Sequence, residues 1–73
     1  MDRKKVTSSN IESVGYDPST KQMHVEFRGG SIYNHDDVSQ ETYDALMSSE
    51  SKGAHYHKAI KGKFKVQRLD GKA

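Results

Sequence analysis

The stretch from Met23 to Tyr33 limits most tightly what this chain can fold into. Met23, Val25 and Phe27 alternate with His24, Glu26 and Arg28, and Ile32 and Tyr33 follow after Gly29-Gly30-Ser31. A period of two gives a strand with one buried and one wet face. Gly29-Gly30 predicts a two-residue hairpin turn, because such turns require positive φ and glycine adopts it without a steric penalty. A two-stranded hairpin is marginal in water, so flanking segments must cover the Met23/Val25/Phe27 face.

Those segments are short. The chain has 73 residues, 32% of them hydrophobic, six Phe or Tyr and no Trp, which fits one domain over residues 1–73 with a small core. There is no cysteine, so neither disulfides nor thiolates support the fold, as expected in a reducing compartment. No apolar run approaches the roughly 18 residues of a transmembrane helix, and the N-terminus lacks a signal-peptide core. The expectation is a soluble cytoplasmic protein.

Upstream, residues 1–5 are polar and are expected to be flexible, with Val6 as the first residue to touch the body. Ser8 to Tyr16 reads as the first strand. Val14 and Tyr16 share one face, Ile11 and Ser13 the other, which predicts cover on both sides or a bulge near Gly15. Asp17-Pro18-Ser19-Thr20 is a turn, with Pro18 fixing φ and Asp17 accepting backbone N–H groups. Three strands then form an antiparallel meander.

Downstream, a helix follows Asn34-His35-Asp36-Asp37, capped by Asp36, Asp37 or Ser39. Asp37 and Gln40 have the spacing of a capping box. Tyr43, Leu46 and Met47 make one helical stripe. Ser51 is placed to cap a second short helix with Tyr56, Ala59 and Ile60 on its apolar side. Gly62 offers a left-handed exit. Lys63 to Leu69 alternates again, with Phe64 and Val66 on one face, and predicts a final strand. Residues 70–73 are expected to fray. The fold class is therefore α+β: a three-stranded meander, two short helices and a last strand that joins the sheet.

Charge is unevenly divided. Residues 1–50 carry a net −4 and residues 51–73 a net +6, the latter from Lys52, Lys58, Lys61, Lys63, Lys65, Arg68 and Lys72 against Asp70. That asymmetry points to nucleic acid or an acidic protein, although a solvated lysine surface has the same composition. Lys58, Lys61, Lys63, Lys65 and Arg68 are the candidate nucleic-acid contacts, and their affinity would fall steeply with salt. Tyr16, Tyr33 or Tyr56 can stack bases if exposed, but half-buried core tyrosines look the same in sequence. Three arginines against nine lysines argue against sequence readout, since arginine makes the bidentate guanine contacts.

An open sheet edge can instead accept a protein strand. Val6, Ser8, Ser9, Ile11, Tyr33 and Tyr56 are the candidate partner contacts. For catalysis, only Ser8 or Ser9 paired with a histidine comes into question, and serines at a strand start more often bond local backbone. No enzyme activity is expected. His55 and His57 point roughly 200° apart on a helix and cannot share an ion there. His35 with Asp36 and Asp37 is the other cluster, better read as a helix start. No metal or other cofactor is expected.

The residues also carry a resemblance. Val6-Thr-Ser8-Ser9-Asn10-Ile11, Val14-Gly15-Tyr16-Asp17, Val25-Glu26-Phe27-Arg28-Gly29-Gly30 and Tyr33 resemble the KTSC domain, named after the C-terminal extension of some lysyl-tRNA synthetases. The likeness continues through Val38, Tyr43, Leu46, Ser51-Lys52-Gly53 and Ile60, so it covers residues 6 to 68. Two positions depart from the family pattern. Ser39 stands where proline is usual, and Tyr56-His57 stands where an aromatic-Asn pair is common.

The resemblance implies a small α+β domain, with RNA binding suggested by the synthetase context. Length and the basic C-terminal third also resemble a small phage transcription regulator. That likeness implies a monomer in the host cytoplasm that binds bacterial RNA polymerase, inhibits initiation and promotes antitermination, with nascent RNA as a second partner and no membrane. The alternative is a stand-alone RNA-binding accessory domain.

Overall fold

The hairpin sits at the centre of the observed sheet. The computed structural model describes residues 3–6, 8 and 10–69. Five strands run antiparallel in chain order: β1 (Arg3–Lys5), β2 (Ile11–Asp17), β3 (Gln22–Phe27), β4 (Ile32–His35) and β5 (Val66–Arg68). Between β4 and β5 the chain forms α1 (Gln40–Ser48) and α2 (Lys52–His55), and α2 runs on into a π-helical turn, Tyr56–Ile60. The α+β class holds, and the sheet has one strand more than the expected meander with its joining last strand.

The extra strand at the N-terminal edge, β1, was not expected from the sequence. Arg3, Lys4 and Lys5 pair with Gly15, Val14 and Ser13. An edge strand needs only backbone bonds, so it carries no apolar period. Its charged side chains also discourage further strand addition.

The bulge falls one turn of pleat earlier than expected. Ile11 opposes Phe27 while Ser13 opposes Glu26, which leaves Glu12 as the extra residue. That insertion rotates Ile11 onto the same face as Val14 and Tyr16 instead of sharing a face with Ser13. The hairpin loop also differs. Phe27 N–H donates to Ser31 O at 2.8 Å and Gly30 N–H to Phe27 O at 2.9 Å. The loop is thus three residues, Arg28 to Gly30, with Gly30 alone at positive φ, +94°: a type I turn followed by one left-handed residue.

The cap of α1 is Ser39, whose Oγ accepts from Thr42 N–H at 3.1 Å. Asp37 cannot form the expected capping box, because it sits before the helix at φ +58°. Ser51 occupies the N-cap position of α2 but makes no side-chain cap bond. Gly62 takes the predicted left-handed exit at φ +78°.

Ile11, Val14, Met23, Val25, Val38, Leu46 and Ile60 are fully buried, joined by Tyr56, in one core between the sheet and the helices. Burial of this set supplies the main driving force for folding. Tyr16 and Tyr43 stack at 4.9 Å between ring centroids, and the Tyr16 hydroxyl donates to Val38 O. These contacts fix α1 on the sheet. Among the described residues, no helix is long and apolar enough to cross a membrane.

Candidate functional site

The last helical segment does not keep α-helical spacing. Lys61 N–H reaches back to Tyr56 O at 2.8 Å, a bond across five residues. The wider turn lets Tyr56 and Ile60 both enter the core while His57 and Lys61 flank an open groove. Segments of this kind recur at functional sites. The groove holds about 700 Å³, within the range of ligand clefts.

Its floor is aromatic. Phe27, Tyr33 and Tyr56 line it. Phe27 meets Tyr33 edge to face at 5.8 Å and Tyr56 at 5.3 Å, geometries that rings favour. Arg28 and Lys61 supply the cations along its wall, and Asn10, Ser31 and His57 supply further polar groups. Gly29 and Gly62 also border it, and a Cβ on either would meet no atom within 4 Å. Among the described residues, no carboxylate lines the groove. Outside the groove, the Glu12 carboxylate stands 3.6 Å from the Arg28 guanidinium. Arg28 Nε also donates to Ser8 O at 2.8 Å, which holds its side chain beside the groove.

Behind the floor, His35 is fully buried. Its Nε2 lies 2.7 Å from the Tyr56 hydroxyl and its Nδ1 lies 3.2 Å from Met23 O. The Met23 carbonyl can only accept, so Nδ1 carries the proton and Nε2 accepts from Tyr56. Burial pushes the His35 pKa below the ordinary histidine value, against raising contributions from the Met23 and Tyr33 backbone bonds. Burial likewise pushes the Tyr56 phenol up. The pair thus stays neutral and holds the Tyr56 ring in place.

The expected partner contacts divide. Tyr33 is half-buried and lines the groove. Tyr56 lines it too, but at 6% exposure it forms floor, with its hydroxyl committed to His35. Ile11 is 0% exposed and belongs to the core, which removes it as a partner contact. The Glu12 bulge turned it inward. Val6 is half-buried against the core. Ser8 Oγ accepts from Asn10 N–H and Ile11 N–H, both at 3.3 Å, so it caps local backbone. Ser9 lies outside the described residues.

The expected nucleic-acid contacts divide as well. Lys58, Lys61, Lys63, Lys65 and Arg68 are all exposed. Lys61 alone among them lines the groove. Arg68 sits 5.9 Å above the Tyr33 ring and donates to Ser31 Oγ at 3.2 Å, which ties it to the same end of the molecule. Lys63 lies outside β5, since the strand is confined to Val66–Arg68. The expected Lys63–Leu69 strand is shorter because Gly62 and the turn after it consume its first residues.

The two histidine clusters do not assemble. Both ring nitrogens of His35 are taken, and Asp36 Oδ1 accepts from Asn34 and Gln22 instead. No group of three His, Cys, Asp or Glu suited to a metal occurs among the described residues. The sequence reading missed Phe27, Arg28 and His57 as site residues. One signal did mark His57: the Tyr56-His57 departure from the resembled pattern falls at the groove, while the Ser39 departure falls at the exposed cap of α1.

Comparison with known proteins gives these features a context. The KTSC domain family matches residues 7–64. An uncharacterized protein of Stutzerimonas stutzeri is 34% identical over 71 residues, covering 96% of this chain and all of that protein. A lysine–tRNA ligase of Nostoc sp. is 38% identical over 65 residues, which are 89% of this chain but only 12% of the ligase. The crystal structure of a KTSC domain protein from Yersinia pestis superposes with a TM-score of 0.90 at 36% identity, covering 93% of this chain and 96% of that one.

Proposed function

The chain belongs to the KTSC domain family, and from that premise we propose that it is a non-catalytic phage protein that docks on host bacterial RNA polymerase. In this reading it inhibits transcription initiation and promotes antitermination. The observation that carries the reading is an aromatic groove, with no acid among its described lining residues, joined to an exposed basic end, Lys58 to Arg68. A transcribing polymerase offers both protein and RNA, and the −4/+6 charge division between residues 1–50 and 51–73 supports two unlike partners. The acidic front faces polymerase and the basic rear faces nascent RNA. The choice of polymerase rests on the resemblance to a small phage regulator.

A second reading, an RNA-binding accessory domain, is favoured by the similarity to a segment of lysine–tRNA ligases. Affinity capture from a nuclease-treated bacterial lysate separates the two. Under the first reading the bait retains polymerase subunits. Recovery of no polymerase, together with RNA binding in low salt, selects the second. Replacing Lys61, Lys63 and Lys65 by Glu is expected to weaken terminator read-through more than polymerase capture. Equal loss of both would make the basic end the docking surface itself.

A further inference from the structure

We propose that the groove between the β3–β4 loop and the π-helical turn is a slot for one unstacked nucleobase of single-stranded RNA, with Lys61 and Arg28 on the flanking phosphates. The proposal rests on the RNA contact of the preceding section and names where that contact is made.

Three features argue for a planar, anionic guest. First, the floor rings do not lie flat. Phe27 stands 74° to Tyr33 and 76° to Tyr56. In the open groove these crossed rings let a flat guest lie on one ring face and meet the edges of the others. Base–aromatic stacking is worth about 1–3 kcal/mol per base.

Second, the charge is one-sided. Arg28 and Lys61 line the groove, and no carboxylate is among its described lining residues. Arg28 lies beside Glu12 at 3.6 Å with both side chains partly exposed. Such an exposed pair is weakly held, so Arg28 can turn part of its guanidinium to a phosphate.

Third, the polar groups suit a base edge and a ribose. Ser31 and Asn10 border the groove and can donate and accept. Glycines at 29 and 62 leave open space at its margins, so a backbone can pass. The floor itself is preorganised: the His35 bond fixes Tyr56, and the Arg68 guanidinium over Tyr33 restrains that ring. A rigid floor loses little ordering entropy on binding.

The test uses the full chain and a labelled oligouridylate in low salt, read by fluorescence anisotropy. Tyr33→Leu is expected to weaken binding about tenfold, whereas Tyr33→Phe keeps it. Lys61→Glu is expected to weaken binding and flatten its salt dependence. With isotope-labelled unmutated protein, the oligonucleotide should shift the amide resonances of Gly29, Ser31, Tyr33 and Gly62, which guards against a variant that merely unfolds. If Lys63→Glu with Lys65→Glu abolishes binding while Tyr33→Leu and the groove resonances are unaffected, RNA is held elsewhere and the slot is overturned, though RNA binding stands. If poly-glutamate displaces the oligonucleotide as effectively as unlabelled RNA, the groove takes acidic peptide and the proposal fails. If the unmutated protein binds no RNA, both the slot and the RNA contact fail.

Discussion

β3 and β5 flank the same strand, β4, and both pair with it antiparallel. Their surroundings are opposite. In β3, Met23 and Val25 are fully buried in one core with Leu46, Tyr56 and Ile60. In β5 every residue is exposed, and Val66 keeps 42% of its surface in water. Backbone bonds hold β5 in place: Asp36 N–H to Lys65 O at 3.0 Å and Leu69 N–H to Ile32 O at 2.7 Å, with Arg68 tied to Ser31. One neighbour of β4 is therefore held by burial and the other by its ladder. Alternation in sequence marks a strand, but it takes a covering layer to turn one of its faces into core.

The sharpest way to break this comparison is at Met23. Met23→Ala is expected to cost about 2–5 kcal/mol, because it removes a buried side chain and leaves a cavity. In a domain this small, that lowers the thermal midpoint by about 10 °C or more, read by circular dichroism. A loss under about 1 kcal/mol would mean that β3 is no better packed than β5.

The next effect lies where β3 meets β4, at His35. Its folded pKa is depressed by burial, so the charged form is disfavoured in the fold. The stability this contributes is fully present above the unfolded value of about 6.5 and is lost as pH falls through the folded pKa. Over that window the unfolded chain binds more protons, so stability drops with acidification. Protonation also removes the Nε2 acceptor of the Tyr56 hydroxyl proton. Urea unfolding should show lower stability at pH 5.5 than at pH 7.5, with a smaller drop for His35→Gln. His24, lowered chiefly by burial and then by Arg3, acts in the same direction and leaves a residual slope. An unchanged slope in His35→Gln would locate the titration elsewhere.

The same contrast separates what could be read from the sequence from what could not. The β2–β4 meander was legible because its apolar residues repeat every two positions and its turns carry Asp17-Pro18 and Gly30. Ser39 was legible as one of three caps. Its selection needed the φ of Asp37, which composition does not encode. β1 was illegible because Arg3-Lys4-Lys5 buries no side chain. The bulge at Glu12 was placed wrongly because Gly15 is the more permissive residue, yet the register shift followed the burial of Ile11. The groove was hardest. Its walls come from Asn10, Phe27-Arg28-Gly29, Ser31, Tyr33, Tyr56-His57, Lys61-Gly62 and Val66, pieces brought together by the sheet. A bond across five residues, Lys61 to Tyr56, has no periodic signature in so short a segment. Tyr33, Tyr56 and Lys61 were among the candidate contacts read from sequence, and all three line the groove, although composition alone did not separate them from core tyrosines and solvated lysines.

The smallest effect sharpens the comparison from the β5 side. Val66→Ala removes two methyl groups from a half-wet residue at the groove wall and leaves the β5 ladder untouched. Its expected cost lies within about 0.5 kcal/mol, as for surface changes that touch no special feature. The contrast with Met23→Ala should therefore be at least about fourfold. Amide exchange adds the complementary reading: the Asp36 and Leu69 N–H groups should keep their protection in Val66→Ala, because their partners are carbonyls and not the valine side chain. A cost above about 1 kcal/mol with lost protection at Leu69 would show β5 anchored by Val66 packing across the groove. In that case the groove closes over its own floor, and the opposition between a buried and a ladder-held neighbour of β4 no longer describes the molecule.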